Sequence, residues 1–296
     1  MTKWSIHAVK NSSRRSSAKQ IYLEPLLKST QDLLTDAVQK VMQDAAERAI
    51  MPRYQSLTAA EIVEKAADDV VTVADTEAEA ILSEGLAKIL PEATIVGEEA
   101  AHADPAVLDR LGDKLCWIID PLDGTNNFAR GTVPFGILIA LSEGGETVAG
   151  WIYDPVTGRL CHAHRGGGAF IGDERISART SAATPPIAAI SVVFMDPAKR
   201  AALLQHIAPH YTLVDIPRCA AEQYPRIALG INDVSVFERT HAWDHAAGVL
   251  FLNEAGGKAA RPDGRPYRVD EAHLPGLIGA ASPALFDELA ERLAKL

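Results

Sequence analysis

Cysteine is scarce in this chain of 296 residues: Cys116, Cys161 and Cys219 are its three thiols, and none stands at CxxC spacing. An odd, scattered set excludes a disulfide-stapled scaffold and a zinc ribbon, and leads us to expect a cytoplasmic protein. Apolar residues never run uninterrupted for the ~18 positions that a membrane span requires, so no membrane partner is expected. Acid is missing from residues 1–20, which carry Lys3, Lys10, Arg14, Arg15 and Lys19. Of the net charge of −10, the remaining 276 residues therefore carry −15. An acidic body repels a nucleic-acid backbone and argues against that class of partner. The basic, serine-rich start has the composition of a transit peptide but no regular apolar stripe, and is expected to be a disordered tail.

What is present has the makings of a large core. Leu23, Leu26, Leu27, Leu33, Leu34, Val38, Val41 and Met42 recur at helical steps, predicting a helix from Ile21 to about Arg53 that Pro52 stops or kinks. A β-like run at Val70–Val73 precedes Asp75, and a second helix is expected from Thr76 to Leu90. Thr94-Ile95-Val96 reads as a short strand leading into Gly97-Glu98-Glu99. Leu115 to Ile119 is unbroken apolar sequence, the pattern of a strand buried on both faces. Further strands are expected at 136–142, 147–153, 159–163 and 168–171. From 188 onward strands and helices alternate: 188–194, 197–208, 212–216, 219–229, 233–238, 244–255, 276–281 and 283–295. The composite is mixed α and β, antiparallel early and alternating later. Beyond the tail the chain divides near residues 180–187 into an N-terminal half (21–185) and a C-terminal half (186–296).

Acidic residues stand at the ends of these elements in four places, where α/β proteins place ligands. Asp120 ends the buried strand. Asp123 follows three residues later, with Pro121 stiffening the turn and Gly124 permitting backbone shapes that other residues resist. Two carboxylates so placed, with the Leu122 carbonyl, offer oxygen only, which suits Mg²⁺ better than zinc. Thr125, Asn126 and Asn127 could open a helix whose free N–H groups take a phosphate. Asp244 lies at the head of a small-residue helix, Asp75 at the head of another, and Glu98 after a strand. Each has a plainer explanation: an Asx turn, a helix N-cap or a solvated surface acid.

Together, Gly97-Glu98-Glu99, Asp120-Pro121-Leu122-Asp123-Gly124-Thr125 and Trp243-Asp244-x-Ala246-Ala247-Gly248 resemble the boxes of the inositol monophosphatase family. Order and spacing are similar from about residue 25 to the end, and Val71 to Asp75 resembles the family's segment after its first helix. The resemblance implies a layered α/β/α/β/α sandwich, a homodimer, lithium sensitivity, and hydrolysis of a small phosphate monoester with two or three Mg²⁺ ions. It further implies that Glu98, Asp120 and the Leu122 carbonyl hold one ion, and that Asp120, Asp123 and Asp244 hold the second. Thr125 and Asp75 would polarise the nucleophilic water near the first ion. Gly124 and Thr125 would take phosphate oxygens through their backbone N–H groups, and Ala220 would lie against the substrate.

Two departures concern the alcohol rather than the phosphate. Family members acting on inositol phosphate carry a glutamate six residues before the tryptophan of the last box, a position held here by Phe237. Glu238 is one residue closer, and a one-residue slip along a strand turns a side chain to the opposite face unless a bulge intervenes. Arg218-Cys219-Ala220-Ala221 stands where a Gly-Ser/Thr-Ala-Ala segment is usual. Inositol monophosphate leads the substrate readings. Histidinol phosphate, 3′-phosphoadenosine 5′-phosphate and a sugar bisphosphate are alternatives, and a regulatory binding role in transcription or RNA processing is the reading from another class. Arg165-Gly166-Gly167-Gly168 is expected to be a hairpin turn, His162 and His164 to share a strand face, and 261–268 to form a loop.

Overall fold

The computed structural model describes residues 17–66, 69–271 and 273–296. Most of the expected basic tail thus lies outside the described residues, while Ser17 already belongs to helix α1 (Ser17–Ala45). A π-helical turn (Ala46–Ile50) and a short 3₁₀ turn at Pro52 finish that first helical segment. Val38, Met42, Ala45 and Ala49 are buried at three- and four-residue steps. A small hairpin, β1 (Ile62–Ala66) and β2 (Asp69–Thr72), leads into α2 (Val73–Ile89), which buries Ala74, Ala78, Leu82 and Leu86. The helix starts three residues earlier than expected because Thr72, not Asp75, is its N-cap. Asp75 is instead the third helical residue of a capping box, accepting from the Thr72 amide at 2.8 Å and its hydroxyl at 2.6 Å.

Two larger sheets follow. The first runs in order β3 (Thr94–Gly97), β4 (Cys116–Asp123), β5 (Gly136–Glu143), β6 (Glu146–Asp154), β7 (Arg159–His164), β8 (Gly168–Ile171) and β9 (Glu174–Ile176). Only β3 and β4 are parallel; every later pair is antiparallel. Short helices α3 (Glu98–Ala103) and α4 (Thr125–Ala129) leave the ends of β3 and β4. The second half supplies β10 (Ile187–Ile190), α5 (Pro197–His206), β11 (Thr212–Val214), α6 (Ala220–Ala228), β12 (Val234–Phe237), α7 (Ala242–Glu254), β13 (Lys258–Ala260), β14 (Leu277–Ala280) and α8 (Pro283–Leu293). Its sheet has the order β11-β10-β12-β14-β13.

Alternation along the apolar strands explains the layering. Trp117, Ile119, Ile139 and Trp151 point to one face and pack with Val38, Met42, Leu82 and Leu86 of α1 and α2. Ile118, Leu138 and Ile152 point to the other and meet Tyr224, Ile227, Phe251 and Leu252 of α6 and α7. Those helices also cover the second sheet, whose far face packs Val234, Val236 and Ile278 against Leu203 of α5 and Phe286 and Leu289 of α8. The result is the expected five-layer α/β/α/β/α sandwich. The strand expected over 188–194 stops at Ile190, and Val193 and Phe194 beyond it are exposed despite their β propensity. No described helix is long and apolar enough to cross a membrane.

Candidate functional site

Asp120 and Asp123 stand on one strand three residues apart, and simple alternation would send their side chains to opposite faces. The pairing with β5 slips between them: Asp120 sits opposite Leu138, yet Asp123 sits opposite Gly136. Three steps on β4 thus match two on β5, and this bulge at Pro121 lets both carboxylates face one cavity. Asp120 is fixed by accepting from the Leu122 amide at 3.0 Å. The Asx-type contact that offered a plain structural explanation for this segment is present, and it is what aims the carboxylate. Gly124 follows with φ at +82°, and a Cβ there would meet the Pro134 carbonyl at 2.8 Å.

Asp244, in the first turn of α7, completes the convergence. Asp120, Asp123 and Asp244 each offer an oxygen, all within 4.8 Å of one another. The N-cap of α7 is His241, so Asp244 is not spent on capping. Glu98 enters from the neighbouring strand: Gly97 is paired with Ile119, which places the start of α3 beside Asp120. Glu98 lines the same cavity as the three aspartates, Leu122, Gly124, Thr125 and Ala220. Asp75 is reached through Thr125, whose hydroxyl lies 3.0 Å from Asp75 Oδ1 and 2.8 Å from the Leu122 carbonyl. The start of α6 closes the ring, the Ala221 amide donating to Asp123 Oδ2 at 2.6 Å. Every site residue expected from the sequence therefore belongs to one constellation.

Its electrostatics are those of a site short of positive charge. Burial, and then the negative charges of Glu98, Asp123, Asp244 and Asp75, push the Asp120 carboxyl well above the usual carboxylate range. Burial and Asp244 push Asp123 up to about 7 despite the Ala221 amide. Asp75 is raised to about 7, mainly by burial. Crowded carboxylates without a facing cation are unfavourable as anions, and oxygen donors alone match the demand of a hard divalent ion.

Two further residues hold this arrangement: Glu79, which the sequence did not single out, and Asn127, whose side chain does a different job from the one expected of its segment. Glu79 is buried one turn beyond Asp75 and accepts from the Glu99 and Ala100 amides, both at 2.8 Å, so it anchors the first turn of α3 just behind Glu98. Its signal was available, because an acid at 79 falls on the apolar stripe of Ala78, Leu82 and Leu86. Asn127 donates to the Pro134 and Pro217 carbonyls at 2.8 and 3.0 Å, tying α4 to the loop before α6. His245 borders the cavity, but its ring is engaged between the Tyr224 hydroxyl at 2.8 Å and the Arg239 carbonyl at 3.0 Å.

Comparison with known proteins identifies the family. The model of the inositol monophosphatase family matches residues 29–296. An inositol-1-monophosphatase of Caulobacter vibrioides is 33% identical over 256 residues, covering 84% of this chain and 96% of that protein. One of Bacillus subtilis is 29% identical over 267 residues, covering 87% and 95%. Among solved structures, the extragenic suppressor protein suhB of Bartonella henselae superposes with a TM-score of 0.75 at 26% identity, covering 89% of this chain and 99% of that one. The chain belongs to the inositol monophosphatase family and is a phosphoric monoester hydrolase.

Proposed function

We propose that this protein hydrolyses a small phosphate monoester with Mg²⁺ as its cofactor, water serving as the nucleophile. One observation carries the reading: Asp120, Asp123 and Asp244 converge within 4.8 Å in a cavity that Glu98 and Thr125 also line. Glu98, Asp120 and the Leu122 carbonyl would hold one ion; Asp120, Asp123 and Asp244 would hold another. When bound, the ions would acidify water and offset charge on the phosphoryl group and the departing alkoxide.

The chain's own groups supply position and proton handling. Thr125 donates from its hydroxyl toward Asp75 and keeps an oxygen lone pair for the proton of an attacking water. Asp75 is then the base that the hydroxyl relays to, and Thr72 holds it in place through two further hydrogen bonds. Gly124 and Thr125 border the cavity, where their N–H groups would receive phosphate oxygens. The relatives named for inositol monophosphate make that ester one of the first to try. The test is a panel of phosphate esters assayed with Mg²⁺ and again with chelator. Turnover that depends on Mg²⁺ is expected; no turnover of any ester with Mg²⁺ present overturns the reading.

A further inference from the structure

The wall of the cavity contributed by the second sheet is built for a different leaving group than a bare polyol. Pairing of β12 with β14 is regular to its end, with Val236 opposite Ile278 and Phe237 opposite Leu277. No bulge restores the glutamate to the position of Phe237. Phe237 shares a face with Ser235, which accepts from Gln223 at 2.7 Å. Its ring stacks on Tyr224 (centroids 5.5 Å, planes 19° apart) and meets the edge of His245 at 4.9 Å. The Glu238 carboxylate is held by Lys199 Nζ at 2.6 Å. Hydroxyl donors of a polyol therefore meet an aromatic ring and an ion pair where an uncommitted carboxylate would serve them best.

Two arginines border the same space. The Arg239 guanidinium lies over the Phe194 ring at 4.1 Å from its centroid, and both residues line the cavity. Phe194 remains 44% exposed beside that contact. Arg218 lines the cavity from a backbone with φ at +55°, in the left-handed region where glycine is the least costly residue. The Asn127 bond to the Pro217 carbonyl pins that segment. A long cation is kept on an unfavourable backbone at the rim of a phosphate site, which is the kind of local cost that function sustains.

Resting on the phosphatase reading above, we propose that the preferred substrate carries a second phosphate and a flat apolar body on its leaving alcohol. Arg218 and Arg239 receive the second anion, and Phe194 and Phe237 the flat face. A matched pair of nucleotides tests this: adenosine 3′,5′-bisphosphate against 3′-AMP, with myo-inositol 1-phosphate and p-nitrophenyl phosphate alongside, all followed as Mg²⁺-dependent turnover. The bisphosphate is expected to exceed 3′-AMP and the inositol ester in kcat/KM by about ten-fold or more. Arg239→Ala and Arg218→Asn should collapse the bisphosphate-to-monophosphate ratio, a quantity that a partly misfolded preparation does not alter. Asparagine is chosen because it tolerates the left-handed backbone. Phe194→Ala, at an exposed position, should lower kcat/KM for both nucleotides relative to p-nitrophenyl phosphate. A ratio near one in the parent protein, a preference for the inositol ester, or a ratio untouched by both arginine variants overturns the proposal while leaving the phosphatase reading intact. No turnover of any ester, p-nitrophenyl phosphate included, overturns both.

Discussion

Asp123 is held from two directions, by the bulge in β4 behind it and by the Ala221 amide 2.6 Å in front. Asp123→Asn keeps an oxygen for that amide and removes the charge that faces Asp120 and Asp244. Its expected effect is a loss of Mg²⁺-dependent turnover of about 10²-fold or more with the far-ultraviolet circular dichroism unchanged; substantial retained turnover would show that Asp123 is not a ligand. Thr125→Val tests a different group. It retains the shape of the side chain but deletes the hydroxyl that joins Asp75 to the Leu122 carbonyl. Turnover is expected to fall by about 10²-fold with little change in the Mg²⁺ concentration for half-maximal activity, since the proposed proton relay would be lost while the carboxylates stay. A large rise in that concentration with unchanged maximal turnover would instead mark Thr125 as a support of the metal site.

Among the elements, α3 depends most visibly on a partner distant in sequence. Gly97 approaches Glu79 so closely that an added Cβ would lie 2.3 to 2.6 Å from its carboxylate, and the same carboxylate anchors the amides of Glu99 and Ala100. Glu79→Ala should destabilise the protein by about 1–2 kcal/mol and raise the Mg²⁺ requirement, because the turn carrying Glu98 loses its anchor. A melting curve and a Mg²⁺ titration check the two parts separately. The contact between α6 and α7 is similarly tight: a Cβ on Gly248 would fall 2.0 to 2.4 Å from the Tyr224 ring. Gly248→Ala is expected to cost about 1–3 kcal/mol, read as a lowered Tm. These contacts mark where the sequence stopped being legible. Acids at the ends of apolar strands could be read directly, because a strand buried on both faces is an unbroken apolar run and its end is an acid. The β4 bulge could not, since it exists only in the register with β5. Nor could the partners of Glu79, whose place on an apolar stripe signals burial but whose bonds to the Glu99 and Ala100 amides depend on α2 lying beside β3. Phe237 is legible in part: alternation turns it and Glu238 to opposite faces, but that no bulge intervenes is seen only in the register of β12 with β14.

For the molecule as a whole, the crowded carboxylates couple stability to pH and to Mg²⁺ in opposite senses. Asp75 and Asp123 have their pKa raised from 3.8 to about 7, and burial among like charges also holds Asp120 well above the usual carboxylate range. A folded-state pKa above the unfolded value gives stability that is present below the lower value and lost as pH rises through the upper one, so metal-free protein should weaken from about pH 4 through about pH 7. Buried His164 and His245 act on the other flank. Their pKa is lowered from 6.5 to about 4, largely by burial, so their contribution is present above 6.5 and lost as pH falls through about 4. Chelated protein should therefore melt highest in mildly acidic solution. On the proposed reading Mg²⁺ would bind the folded chain and favour ionised ligands, so its stabilisation, about 2.7 kcal/mol at a hundred-fold excess over Kd, should grow with pH. The measurable expectation is a Mg²⁺-induced rise in Tm that is larger near pH 8 than near pH 6. The chelated Asp123→Asn protein supplies the matching control: with one ionisable group removed from the cluster, it should melt above the chelated parent near pH 8. Equal Mg²⁺ shifts at both pH values, together with an Asp123→Asn protein that melts no higher than its parent, would mean that charge repulsion among these carboxylates does not govern the stability of the metal-free fold.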